Sequence, residues 1–199
     1  MTESQGQSTR AIHGSRLKDQ HGAPHTPIYN TTTFKFDSTQ DLLDVAEGRR
    51  RGAFYTRKGM NPSVFALEET MAAVEGAETA LAFSSGMAAE TALFTAYGRD
   101  GIICLGDAYG GTLELLTKQL PLLGIETTFM LGSELERLEE TLKGGAKLVF
   151  LETPTNPALE VFDLAVVSEL AHRYDALVAV DNTFASPVNQ RPLEFGVDI

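Results

Sequence analysis

The chain has 199 residues, is 43% apolar and 22% charged, and carries a net charge of −11. That length suits one good core with an appended arm, and the acidic balance argues against a general nucleic-acid binder, which needs a basic face. No stretch reaches the roughly 18–20 apolar residues of a membrane span, the opening MTESQGQSTR has no signal-like apolar run, and the one cysteine, Cys104 in IICL, reads as plain core in a reducing cytoplasm.

Residues 1–36 are polar, hold Pro24, Pro27 and a TTTF stretch, and show no sustained period, so they read as an extended arm. Ser38-x-x-Asp41 resembles a capping box before LLDVAEG and predicts a short helix. The expected division is an arm with a short helix over 1–50 and an α/β domain over 51–199. Residues 49–60 (RRRGAFYTRKGM) read as a loop. Within it Arg49, Arg50 and Arg51 beside Gly48 and Gly52 suggest a solvated turn, with phosphate contact as the rarer reading.

From residue 61 the pattern is regular. Asn61-Pro62 supplies an N-cap and a proline at the first helical position, and Gly76 ends that helix. TALAF (79–83) reads as a strand, 87–97 as a helix closed by Gly98, and GIICL (101–105) as a strand. Then come a helix over 112–123 closed by Gly124, a strand at IETTFM (125–130), and a helix capped by Ser133-x-x-Glu136 and running to Leu142. KLVFL (147–151) is a strand, Asp163 starts a helix to Tyr174, and LVAV (177–180) is a strand. This alternation predicts an α/β fold with a mainly parallel sheet and helices on both faces. His13, His21, His25 and His172 show no metal-binding spacing.

Ligands of open α/β sheets sit beyond the carboxyl ends of the strands, which directs attention to SSGM after 83, GDAYGG after 105, ETPTNP after 151 and DNTF after 180. Small residues at Ser84-Ser85-Gly86-Met87, between a strand and a helix start, let backbone N–H groups close on an anion. No G-x-G-x-x-G follows a strand and no G-x-x-x-x-G-K-[ST] exists, which disfavours NAD and ATP. Tyr109 between Asp107 and two glycines can stack on a flat ring. Asp181 ends an apolar strand in a carboxylate that needs a donor or cation. A phosphate, a stacked ring and a protonated ring nitrogen together describe pyridoxal 5′-phosphate.

YTRKGMNPS (55–63), FSSGMAA (83–89), DAYGGT (107–112), ETPTNP (152–157) and VDNTFASP (180–187) stand in the order and spacing of the Cys/Met-metabolism family of pyridoxal-phosphate enzymes. The chain resembles that family from about Thr9 to its last residue. The resemblance implies a fold-type I large domain and roles at matching positions. Ser85, Gly86 and Met87 hold the phosphate, the last two through N–H groups. Tyr55 and Arg57 reach the phosphate of a neighbouring subunit, as suits a bidentate guanidinium, so a homodimer of shared sites, assembled into a homotetramer, is expected. Tyr109 stacks on the ring and acts on the leaving group. Asp181 pairs with the ring nitrogen, Thr183 supports it, and Glu152 and Asn156 stand near the ring 3-oxygen and the substrate.

The family's Schiff-base lysine follows a further strand, which VDI (197–199) would begin, and none of Lys18, Lys35, Lys58, Lys118, Lys143 or Lys147 stands at the matching place. The family's arginine for the substrate carboxylate also has no counterpart, so the expectation is the N-terminal half of a longer enzyme. Methionine γ-lyases commonly carry cysteine where Gly111 stands here, which lowers that substrate assignment. The expected activity is C–S bond cleavage in cystathionine or a related thioether. The alternatives are γ-replacement on an activated homoserine, methionine γ-lyase activity, or a non-catalytic binding module. No nucleic acid or membrane partner is expected.

Overall fold

The computed structural model describes residues 5–199. Contacts divide the chain at Ala82, and the two compact units are described separately.

The first unit contains three helices, α1 (Gln7–His13), α2 (Thr39–Ala46) and α3 (Pro62–Glu75). α1 corrects the expectation of an arm without helix. It is short and has no side-chain cap. Its stability comes from tertiary packing on α3, where a Cβ at Gly14 would fall 2.9 Å from the Thr70 backbone. Such support does not register in local periodicity. Ser38 caps α2 by accepting from the Asp41 N–H at 3.1 Å. Asn61 caps α3 at Ser63 N, and Gly76 closes it at φ 77°, both as expected. Residues 49–60 form a loop with one 3-10 turn, Thr56–Lys58. The three arginines each meet an acid: Arg49 pairs with Asp44 and Glu47, Arg50 with Asp41, and Arg51 with Glu69.

The second unit, Phe83–Ile199, is built on four parallel strands: β1 (Ile102–Leu105), β2 (Thr127–Met130), β3 (Leu148–Glu152) and β4 (Leu177–Asp181). Their spatial order is β2-β1-β3-β4. Period-two alternation sends side chains to two cores. One holds Ile103, Leu105, Val149, Leu151 and Val178 under α6 (Leu135–Lys143) and α7 (Leu164–His172). The other holds Ile102, Cys104, Leu148, Phe150 and Ala179 beneath Phe94 of α4 (Gly86–Tyr97) and the helical stretch that begins with α5 (Gly110–Glu114). Helices therefore cover both faces, as expected of a parallel sheet.

Three local expectations are corrected. Residues 79–83 form no strand: Ala82 N donates to the Glu68 carboxylate, Leu81 is 75% exposed, and no neighbouring strand among the described residues completes a ladder there. The helix expected over 112–123 is wound in three ways, α5, then a π turn over Leu115–Gln119, then a 3-10 turn over Leu120–Leu123 ending at Gly124. Pro121 has no N–H to continue an α-helical ladder. α6 is capped at Glu134, whose carboxylate accepts from Leu131 N, and not at Ser133. α7 begins at Asp163, whose side chain accepts from Val166 N. A short α8 (Ser186–Asn189) follows β4. Ile199 N donates to Val178 O at 3.2 Å and Ile199 O accepts from Val180 N at 3.0 Å, the bonding pattern of a parallel neighbour beside β4.

Candidate cofactor site

The strand order reverses direction between β1 and β3. The chain leaves β1 for α5 on one face and leaves β3 for α7 on the other, so a crevice opens at the carboxyl ends of these two strands. Gly106 makes the exit from β1: its φ is +79°, and a Cβ there would fall 2.6 Å from the Phe162 ring. Only glycine accommodates both demands.

Tyr109 follows that turn as the residue that starts α5, with its side chain half exposed. Its N–H donates to Glu152 Oε1. Glu152 is the last residue of β3 and only 4% exposed. Burial raises its carboxyl above the usual range, against the Tyr109 and Asn156 backbone donors that favour the ionised form. Asn156 thus meets Glu152 through its main chain. Asp181 is the register partner of Glu152, at the end of β4. Its Oδ1 accepts from the Thr183 N–H at 2.9 Å and the Thr183 hydroxyl at 2.5 Å. Its Oδ2 has no hydrogen-bond partner among the described residues. The Asp181 charge adds to the rise at Glu152, and two carboxylates side by side on paired strands favour a cation or proton donor between them.

Ser85 is the N-cap of α4, and its hydroxyl accepts from Ala88 N at 3.1 Å. Gly86 and Met87 are the first residues of that helix, where N–H groups have no partner within the helix. A Cβ on Gly86 would meet no atom within 4 Å, so the space beside Gly86 at this helix start is open. Met87 and Tyr109 flank Gly111, where a Cβ would lie 3.0 Å from Met87 Sδ and 2.7 Å from Tyr109 Cε1. Ser85, Gly86, Met87, Tyr109, Glu152, Asn156, Asp181 and Thr183 all belong to the strand ends, loops and helix starts at this end of the second unit. Tyr55 and Arg57 belong to the first unit. Tyr55 forms an isolated antiparallel bridge with Thr33, and Arg57 is exposed with no ion pair among the described residues.

Sequence reasoning missed four contributors, Thr112, Glu90, Asn182 and Gln190. Thr112, wholly buried, donates to Glu90 at 2.7 Å. Asn182 and Gln190 exchange side-chain and backbone hydrogen bonds, and Gln190 also reaches Thr153 O at 3.0 Å, tying the segment after β4 to the one after β3. The one signal for Glu90 was an acid among the small and apolar residues of GMAAETALF. The lysines of this unit lie elsewhere. Lys118 pairs with Glu114, Lys143 with Glu139, and Lys147 donates to Tyr174 O, before β3.

An open helix start lined by free N–H groups, an exposed tyrosine and a strand-end aspartate with an unengaged oxygen fit a phosphorylated pyridine ring. The fold and site thus define an α/β cofactor-binding domain. Residues 8–199 match the Cys/Met metabolism PLP-dependent enzyme family, and the chain belongs to it. It is 41% identical over 203 residues to an L-methionine gamma-lyase of Fusobacterium nucleatum, covering 98% of this chain and 50% of that protein. It is 39% identical to a cystathionine gamma-lyase of Bacillus subtilis, covering 96% and 48%. Among solved structures, metB from Corynebacterium glutamicum superposes with a TM-score of 0.86 at 43% identity over 98% of this chain and 49% of that one. The chain spans about half the length of the relatives it matches.

Proposed function

We propose that the protein containing this chain is a pyridoxal-phosphate-dependent C–S lyase of sulfur amino-acid metabolism that acts on cystathionine or a related thioether by γ-elimination. The observation that carries the reading is the strand-end Asp181, braced by Thr183 and open at Oδ2, at the mouth of a crevice beside a free helix start. Bound there, the cofactor supplies an electron sink next to the amino-acid Cα. Asp181 keeps the ring nitrogen protonated, and Thr183 fixes the aspartate. Gly86 and Met87 hold the phosphate through their N–H groups at the positive end of α4, with Ser85 capping that helix. Tyr109 covers the ring and carries a proton to the departing sulfur. Glu152 clamps the Tyr109 backbone and, with Asn156, borders the substrate side.

Relatives named as cystathionine and methionine lyases support elimination. A second reading, γ-replacement on an O-acylhomoserine, is favoured by likeness to a putative O-acetylhomoserine (thiol)-lyase structure from Campylobacter jejuni, TM-score 0.91 at 28% identity. Methionine γ-lyase activity is a third possibility within the same chemistry. The division proposed by function is 1–50 and 51–199, which differs from the contact boundary at Ala82. The assembly proposed is a homodimer in which Tyr55 and Arg57 serve the partner's phosphate, paired into a homotetramer. A cytoplasmic location is proposed from the lone buried thiol of Cys104, and among the described residues no helix is long and apolar enough to cross a membrane. The test is product analysis with cystathionine. A 2-oxo acid and ammonia indicate elimination, whereas a new thioether from an acylhomoserine indicates replacement. Asp181→Ala is expected to remove nearly all turnover while leaving the circular dichroism spectrum intact, and unchanged kinetics would return Asp181 to a structural role.

A further inference from the structure

Glu90 sits on the second turn of α4, facing away from the cap and toward Thr112 of α5. The Thr112 hydroxyl donates to Glu90 Oε2 at 2.7 Å and lies 3.9 Å from Met87 Sδ. Met87 in turn shares with Tyr109 the space beside Gly111. Glu90, Thr112 and Met87 are thus joined by direct contacts, and Met87 and Tyr109 both border Gly111, which links the start of α4 to the start of α5. The other groups acting on Glu90 are negative: Asp181 from β4 and Glu152 from β3. Burial, followed by the charges of Glu152, Glu90 and Asp107, pushes the Cys104 thiol of β1 up to about 12, so it remains neutral.

We propose that Glu90 is a positioning residue of the cofactor site: acting through Thr112, it holds the phosphate-binding start of α4 in register with the Tyr109 loop. The proposal rests on the cofactor reading given above. Burial, followed by the Asp181 and Glu152 charges, raises the Glu90 carboxyl to about 7, while the Thr112 hydrogen bond works against that rise. Near neutral pH the side chain therefore exchanges a proton with solvent. A cationic ring nitrogen on Asp181 cancels one of the charges that hold that proton, so occupancy favours the ionised form.

The experiment has two arms, both on the whole protein that contains this chain. The first follows the Glu90 side-chain carboxyl by carbon-13 NMR against pH. A midpoint near 7 is expected, lowered by Asp181→Asn and raised by Thr112→Val. An ordinary carboxylate midpoint indifferent to both substitutions would overturn the proposal. The second arm titrates pyridoxal 5′-phosphate by absorbance. Glu90→Ala and Thr112→Val are each expected to weaken binding by about tenfold, with the double variant no weaker than either single one. Glu90→Gln, whose amide oxygen still accepts from Thr112, should restore affinity and flatten its pH profile between 6 and 8 relative to wild type. Wild-type affinity in Glu90→Ala would overturn the role of Glu90 alone. Failure of the wild-type whole protein to take up the cofactor, with Glu90 titrating as described, would overturn the cofactor reading and the role of Glu90 that depends on it.

Discussion

Between Phe83 and Ile199 the interior is mostly hydrocarbon. Phe94 and Phe150 meet edge to face at 5.0 Å, and β1, β3 and β4 are apolar on both faces until they end, while β2 opens with Thr127 and Thr128. Of the buried polar residues described there, Thr112, Glu152, Thr153 and Thr155 gather after β1 and at or after the end of β3, where the crevice opens, and Ser168 of α7 alone lies elsewhere. Up to Ala82, by contrast, one buried amide organises a large part of the structure. Asn61, 3% exposed, caps α3 with its oxygen and donates through its nitrogen to Tyr29 O and Thr56 Oγ1, both at 3.0 Å. Nearby, Ser63 donates to Pro27 O and receives the Tyr29 N–H. An extended segment with few apolar side chains thus holds its shape by having its backbone groups bonded to side chains. In the second unit polar burial marks a site, whereas in the first it supplies the architecture.

Substitutions can sharpen or break that contrast. The largest effect is expected at Phe150→Ala, which opens a cavity between the sheet and α4 and should cost about 3–5 kcal/mol in a denaturant titration. A cost under about 1 kcal/mol would mean that the second unit does not depend on that core. Asn61→Ala should cost about 1–2 kcal/mol, because it removes a cap and leaves the Tyr29 carbonyl without its donor. Proteolysis of residues 27–35 should rise with it, and a protected segment would mean the first unit relies on packing after all. The smallest effect is expected at Tyr174→Phe, which removes only the hydroxyl that donates to Glu139 at 2.6 Å on the surface. Exposed pairs of this kind contribute little, so the thermal midpoint should not move measurably.

The legibility of the two units in sequence follows the same division. LVAVD, KLVFL and GIICL are runs that only a strand buried on both faces explains, and the helix ends at Asn61, Gly76, Ser85, Gly98 and Asp163 carry their own caps. The rim residues were legible because a parallel sheet sends its loops to one end, so a strand list is already a site list. These signals are local: a cap, a turn or an alternation acts within a few residues.

Tertiary structure decided what depends on distant partners. α1 exists because α3 receives it at Gly14. TALAF is not a strand here because a strand requires a neighbour's backbone, and none of the described residues provides one. The order β2-β1-β3-β4, and with it the crevice between β1 and β3, follows from which strands pair, a choice that similar apolar runs leave open. Glu90 met Thr112 for the same reason: 22 residues separate them in the chain, and only the packing of α4 against α5 brings a carboxyl and a hydroxyl within 2.7 Å.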